Sequence, residues 1–299
     1  MLHPDVHAQQ PDKEKPMPPR PNPTARQMRL GTELRKMREA AGATAREAAQ
    51  ILGSGSAQLS HLEAGRFGVS EQRIRRLAAH YACDDAAYVD ALVAMAAERG
   101  KGWWEEYRGI MAPSGPDLAE LEHHALSIRT FEMAHIPGLL QTEDHMRAAF
   151  RFVSPGWPPE ELDSFIEFRL ERQKIITGEH GKPFDAVVHE AALRIRVGGC
   201  KVAQAQLARI LTLSEAVHVT LRVVPFDSEA FAGAGHSMLY ACGPVPQLDT
   251  VQIDTGHGAF FVDAEARLNQ YRQRYTRIES TALDPRASRD LIMRISHEP

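Results

Sequence analysis

Between Thr44 and Gly65 the chain lays down two short helix-length segments, each stopped by a glycine, Gly53 and Gly65. Isolated helices of this length are marginal in water, so both must gain their stability from packing. Gly53 supplies the positive φ that a tight reversal between them needs. Thr44, with Glu47 three residues on, makes a capping box for the first. Ser54 or Ser56 is expected to cap the second. Ala48, Ala49 and Leu52 face inward from the first helix, Leu59 and Leu62 from the second. Ala49 is small where the first helix must let the second approach. The second helix is anchored from one side, which leaves Ser56, Ala57, Ser60 and His61 pointing outward.

The flanking sequence supplies the packing partners. Leu30, Leu34, Met37 and Ala41 recur at helical spacing and predict a preceding helix that ends at Gly42. Ser70 starts a further helix that turns Ile74, Leu77, Ala78 and Tyr81 inward. A last one is expected from about Asp85 to Glu98. Residues 26–100 thus read as an all-α, five-helix domain, with Gly100 and Gly102 marking a linker. Residues 1–25 hold seven prolines and few large apolar groups. Such a stretch buries too little surface to offset its ordering entropy and is expected to be disordered. Met28 would also serve as a start.

Charge is divided unevenly along the chain. The whole carries −4, which alone argues against a polyanionic partner. Residues 26–76 hold ten arginines and lysines against five glutamates, a net +5 that leaves −9 for the remainder. A basic head on an acidic body is what phosphate binding by one domain requires. A helix such as 54–63 fits the major groove, where hydroxyl and imidazole groups reach base edges. The helix N-termini near Thr44 and Ser56 offer backbone N–H groups to phosphates, with Arg46 and Arg66 flanking the same surface.

The run LRKMREAAGATAREAAQILGSGSAQLSHLEAGR, residues 34–66, resembles the XRE family of lambda-repressor-like helix-turn-helix regulators. The resemblance implies a compact five-helix DNA-binding domain with its third helix in the major groove. It assigns base contacts to Ser56, Ala57, Ser60 and His61. Phosphate contacts fall to the helix end at Thr44, to the Ala45 backbone, and to Arg46, Gln58 and Arg66. Arg38 and Glu63 match the family's internal arginine–glutamate pair, expected to be partly buried and to fix the third helix on the first. The alternative for that pair is a solvated contact of little worth. The chain departs from the family at Ala45 and Ser56, where a long polar residue is usual, and in the extra glycine of Ser54-Gly55-Ser56.

Beyond the linker the pattern is mixed. Helices are predicted at Asp117–Met133, Glu143–Val153, Pro159–Thr177, Lys201–Glu215, Ala264–Ser280 and Pro285–Ile295. Short strands are predicted at Phe184–His189, Val217–Val224, His236–Ala241, Thr250–Asp254 and Ala259–Val262. Residues 101–299 therefore read as an α+β domain with an antiparallel or mixed sheet. Trp103, Trp104 and Tyr107, then Glu122 and Ala125, then IPGLLQTEDHMRA, RLERQ, HEAALRIRVGG, QLARIL and LRVVPF follow in order. They resemble the C-terminal domain that accompanies XRE helix-turn-helix domains in actinobacterial regulators. That resemblance implies antitoxin-like or developmental regulators encoded beside a small companion protein.

Read without the family, Pro137 and Gly138 make a turn and Thr142 caps the next helix. The three aromatics are expected as core that docks one domain on the other, with a ligand cage as the minority reading. His123, His124, His180, His189, His218, His236 and His257 show no tight ligand spacing, and the adjacent His123 and His124 are expected on different helix faces, so no metal site is expected. His189-Glu190 lies at a strand end without a nucleophile motif or Gly-rich phosphate loop nearby, and no catalytic or cofactor site is expected. Cys83, Cys200 and Cys242 build no disulfide framework, and no apolar run reaches membrane-spanning length. A cytoplasmic, nucleoid-associated protein is expected.

The function that follows is a sequence-specific transcriptional regulator of double-stranded DNA, acting as a homodimeric repressor without enzymatic activity. One module of this size makes too few base contacts for tight selective binding, hence the dimer. The alternative is an antitoxin-like protein whose C-terminal domain chiefly binds a small companion protein, with autoregulatory DNA binding.

Overall fold

The computed structural model describes residues 19–98, 100–178, 180–232, 236–255 and 258–298. Residues 1–18 of the expected disordered tail, and His257, lie outside the described residues. The chain divides into two compact units, Met1–Asp84 and Asp85–Pro299.

The first unit holds α1 (Ala25–Ala40), α2 (Ala45–Ile51), α3 (Ser56–Glu63) and α4 (Glu71–His80). Thr24 opens α1 with a capping box completed by Gln27. Thr44 and Glu47 form the expected box on α2, and Ser70 accepts from the Arg73 N–H to cap α4. At α3 neither serine caps: Gly55 is the N-cap, no side chain bonds there, and Ser56 is already the first helical residue. The core collects Leu34, Met37, Ala48, Ala49, Leu52, Leu59, Leu62, Ile74, Leu77, Ala78 and Tyr81. Ala41, expected on the buried stripe of the first helix, is instead its exposed C-cap.

The boundary falls just after Ala82, whose φ of 50° turns the chain out of α4. The fifth expected helix, α5 (Ala86–Ala97), is capped by Asp85 and is counted with the second unit. A 3-10 turn, Trp103–Tyr107, and α6 (Ser114–His124) follow. Then come β1 (Ser127–Glu132), α7 (Glu143–Val153), α8 (Pro159–Thr177), β2 (Phe184–His189), α9 (Glu190–Arg194), α10 (Cys200–Leu213) and β3 (Val219–Val224). β4 (Met238–Cys242), β5 (Thr250–Thr255), β6 (Gly258–Val262), α11 (Glu265–Ser280) and α12 (Pro285–Ser296) complete the unit.

The six strands form one mixed sheet in the order β3-β2-β1-β4-β5-β6. β1, β2 and β3 run parallel, joined through α7 and α8 and then α9 and α10. β4, β5 and β6 form an antiparallel meander beside β1. The alternation of strand side chains gives the sheet two apolar faces. Ile128, Ala186, Val188 and Leu221 meet Ile176 of α8, Leu207 and Ile210 of α10, and Leu291, Ile292 and Ile295 of α12. Phe131, Val187, Tyr240 and Val251 meet Leu268, Tyr275 and Ile278 of α11. This is the α+β architecture expected of the second domain, with the sheet mixed.

The predicted helix Asp117–Met133 holds only as far as His124, and its second half is the strand β1. The chain leaves helical geometry at Ala125 (φ −64°, ψ 144°) and β1 takes a central place between β2 and β4. Lys182 explains the break, because its ammonium donates to the carbonyls of both His123 and Ala125. The three aromatics near the linker pack inside the second unit, where Trp104 is buried with Ala119 and Phe168 beneath Trp103 and Tyr107. The expectation that His123 and His124 diverge also fails: their rings lie 4.9 Å apart.

Candidate nucleic-acid interface

α3 sits against α1 so closely that a side chain would not fit between them. A Cβ on Gly31 would lie 2.5 Å from the Glu63 carbonyl oxygen and 2.7 Å from that of Leu62. Gly65 is needed twice over, for its φ of +74° and because a Cβ there would meet the Gln27 carbonyl at 2.6 Å. The Arg38 guanidinium then clamps the end of α3. Its Nε and Nη2 donate to the two Glu63 oxygens at 2.7 and 3.0 Å, and its Nη1 donates to the Ala43 carbonyl. Both side chains are about a tenth exposed (11% and 10%), so the pair is partly buried rather than solvated. The hydrogen bond to Glu63 holds Arg38 above its ordinary pKa. The buried Tyr81 hydroxyl lies nearby without a protein partner, and burial raises it to about 12.

This framework fixes what α3 shows to solvent. Leu59 and Leu62 are buried, while Ser56, Ala57, Gln58 and Ser60 are exposed. His61 is half-buried, its ring set edge-on against Phe67 at 5.4 Å, so it lies at the margin of that face. With no side chain at the Gly55 cap, the first-turn N–H groups of Ser56 and Ala57 have no intrahelical acceptor. At α2, Thr44, Ala45 and Arg46 are exposed. The Thr44 N–H and hydroxyl both donate to Glu47, so that helix end already holds a carboxylate. The Ala45 and Arg46 N–H groups remain for a phosphate.

Local pairing decides where the net positive charge is expressed. Glu33, 2% exposed, is held by Arg29 and Lys36; Glu39 by Arg35; Glu63 by Arg38; Glu71 by Arg75. Glu47 serves the α2 cap. Among the described residues Arg46, Arg66, Arg73 and Arg76 enter no ion pair, and Arg46, Arg66 and Arg76 are exposed. The sequence missed one further cation. Arg20, assigned to the disordered tail, donates through its backbone to the Arg66 carbonyl and through its guanidinium to the Gly65 carbonyl. No local pattern signals it, because the acceptors are the carbonyls that close α3.

Residues 29–92 match a family model described as a helix-turn-helix domain, which supports a DNA-binding regulator. Residues 116–294 match the family described as Domain of unknown function (DUF5753). The chain belongs to the DUF5753 family. No curated protein and no solved structure gives a match. Among the described residues no helix is long and apolar enough to cross a membrane.

Within the DUF5753 domain, motifs far apart in sequence meet around one turn. Gln173 Nε2 donates to the carbonyls of Gly138 and Gln141, and Gln206 Nε2 to that of Leu140. The Thr142 N–H donates to Gln206 Oε1 before the Thr142 hydroxyl caps α7. Arg172 and Glu122 form a buried bidentate pair at 2.9 and 2.5 Å. Beside it the half-buried Arg169 lies over the Phe150 and Phe165 rings and bonds Gln141, its buried Nε without a protein partner. Burial and the neighbouring Arg172 push Arg169 down to about 10. The His189 ring accepts the Ala191 N–H, and Glu190 holds Arg194 and the Phe226 N–H.

Proposed function

We propose that this chain is a site-specific transcriptional repressor of the XRE kind. It would act as a homodimer on double-stranded DNA in the cytoplasm, on the nucleoid, with no catalysis of its own. The observation that carries the reading is the outward face of α3. Ser56, Ala57, Gln58 and Ser60 stand exposed on a helix fixed by Gly31, Gly65 and the Arg38–Glu63 clamp, and Arg46 and Arg66 of the same unit are exposed and enter no ion pair. Hydroxyl groups on that face read base edges, while Gln58, Arg46, Arg66 and Arg20 meet phosphates. The DUF5753 domain supplies the dimer contact.

Genome-wide mapping of the sites bound by the full chain tests this. Paired half-sites about one helical turn apart are expected. Absence of any enriched sequence would refute it.

A second reading is favoured by one surface. Phe152 and Val153, at the end of α7, are 88% and 70% exposed, with Trp157 close by in sequence. An apolar strip of this kind suits a protein partner. The antitoxin-like reading puts a small companion protein there instead of a second copy. Sedimentation separates the two: a dimer that Phe152→Ser dissociates supports the repressor, and a monomer unaffected by that change supports the companion.

A further inference from the structure

We propose that Glu98, His123 and His124 form a binding site for a divalent transition-metal ion of the zinc class, within the second unit and independent of DNA binding. Each residue offers one donor atom, and the three atoms lie within 4.8 Å of one another. The His124 Nδ1 is 3.2 Å from the Glu98 Oε2. Zinc bonds of about 2.0–2.2 Å in a tetrahedron place ligand atoms roughly 3.4 Å apart. Glu98 and His124 already stand at that spacing, and His123 closes the set by side-chain rotation.

Adjacent residues on a helix normally diverge, so the convergence needs a cause. α6 ends at His124, and the chain turns to extended geometry at Ala125. The Trp104 ring packs against both imidazoles, 4.9 Å from His123 and 6.1 Å from His124. Trp104 is itself fixed, being 3% exposed among Ala119 and Phe168. Two imidazoles and one carboxylate suit zinc, nickel or cobalt rather than magnesium or calcium. Three protein ligands leave a fourth position open. The carbonyl end of α6 favours a cation. Lys182 opposes one, since its ammonium sits on the carbonyls of His123 and Ala125. The balance is a site that loads and unloads, not a permanently filled one. When loaded, the ion fastens the residue after α5 to the last turn of α6.

The test uses the full chain stripped with a chelator. Zinc is titrated calorimetrically and cobalt by its visible absorption. One ion per chain is expected, with tetrahedral cobalt bands. Glu98→Gln and His124→Ala should each weaken binding by about ten-fold or more. Glu98 is 42% exposed, so its substitution leaves the fold intact, which far-UV circular dichroism verifies. Equal affinity in the wild type and both variants would place the metal elsewhere and overturn the proposal, as would failure of the wild type to bind zinc.

Discussion

A bidentate arginine–glutamate clamp is found in each unit, and the two clamps sit in different surroundings. Arg38–Glu63 joins α1 to α3 at the edge of a small apolar core, each side chain about a tenth exposed. Arg172–Glu122 joins α8 to α6 at 9% and 1% exposure, beside the half-buried Arg169 and three glutamines that hold one turn. In the first unit the unpaired arginines Arg46, Arg66 and Arg76 stand outside, where a ligand can meet them, and the clamp orients α3. In the second, polar chemistry lies inside and is spent on architecture. The difference teaches where to look for function: unpaired charge at a rigid surface in one case, and places the internal network leaves open in the other.

The comparison breaks most readily at the deeper clamp. Glu122→Ala strands Arg172 beside Arg169 and should cost on the order of 3–5 kcal/mol. The melting transition of the second unit should fall while that of the first stays in place. An unchanged second transition would mean water reaches the arginines. Glu63→Ala should cost less, about 2 kcal/mol, because Arg38 keeps its bond to the Ala43 carbonyl and some solvent. The melting curve of the first transition reads this directly, and no shift would make the clamp a solvated pair.

A pH-dependent effect sharpens the account of the second unit. Burial lifts the Glu132 carboxyl to about 7. The native state therefore keeps a proton that the unfolded state gives up in the ordinary carboxylate range. The stability this group contributes is full below that range and lost as pH rises through about 7. Glu132→Gln should accordingly match the wild type in acid and exceed it by roughly 3 kcal/mol in mild alkali. His145, held down at about 4 by burial, titrates in the opposite sense in both proteins and cancels from the difference. Parallel stability curves for the two proteins would show that folding leaves the Glu132 titration unshifted.

The mildest expected change is at the first unit's surface. His61→Ala should cost about 1 kcal/mol of discrimination between operator and non-operator DNA, the low end for a base contact, since the ring leans on Phe67. Competition binding measures it. Unaltered selectivity would remove His61 from the reading face and leave Ser56, Ala57 and Ser60 to carry it.

Much of this organisation was legible in the sequence. Amphipathic spacing and glycine stops located α1 to α4, and the family pattern paired Arg38 with Glu63 before any geometry was known. The meander β4 to β6 and the helices α7, α8 and α11 came from local composition. What escaped depended on distant partners. β1 was hidden because nothing local stops α6; Lys182, far along the chain, does so by taking its last carbonyls. Gly31 gave no sign of the helix approach that requires it. Arg20 was indistinguishable from its proline-rich surroundings. His123 and His124 obeyed helical spacing on paper, yet the end of α6 and the Trp104 ring bring them to one side.

In the proposed function the first unit engages the DNA backbone through arginines that enter no ion pair, while α3 reads the groove. Titrating the full chain against an operator fragment over a range of salt concentrations tests this most directly. Each phosphate neutralised contributes a slope of about −0.9 in log K against log salt, so a dimer placing Arg46 and Arg66 from each half on the backbone should show about −3 or steeper. The slope should become shallower when both arginines are replaced by alanine. A flat response in the wild type would contradict the account.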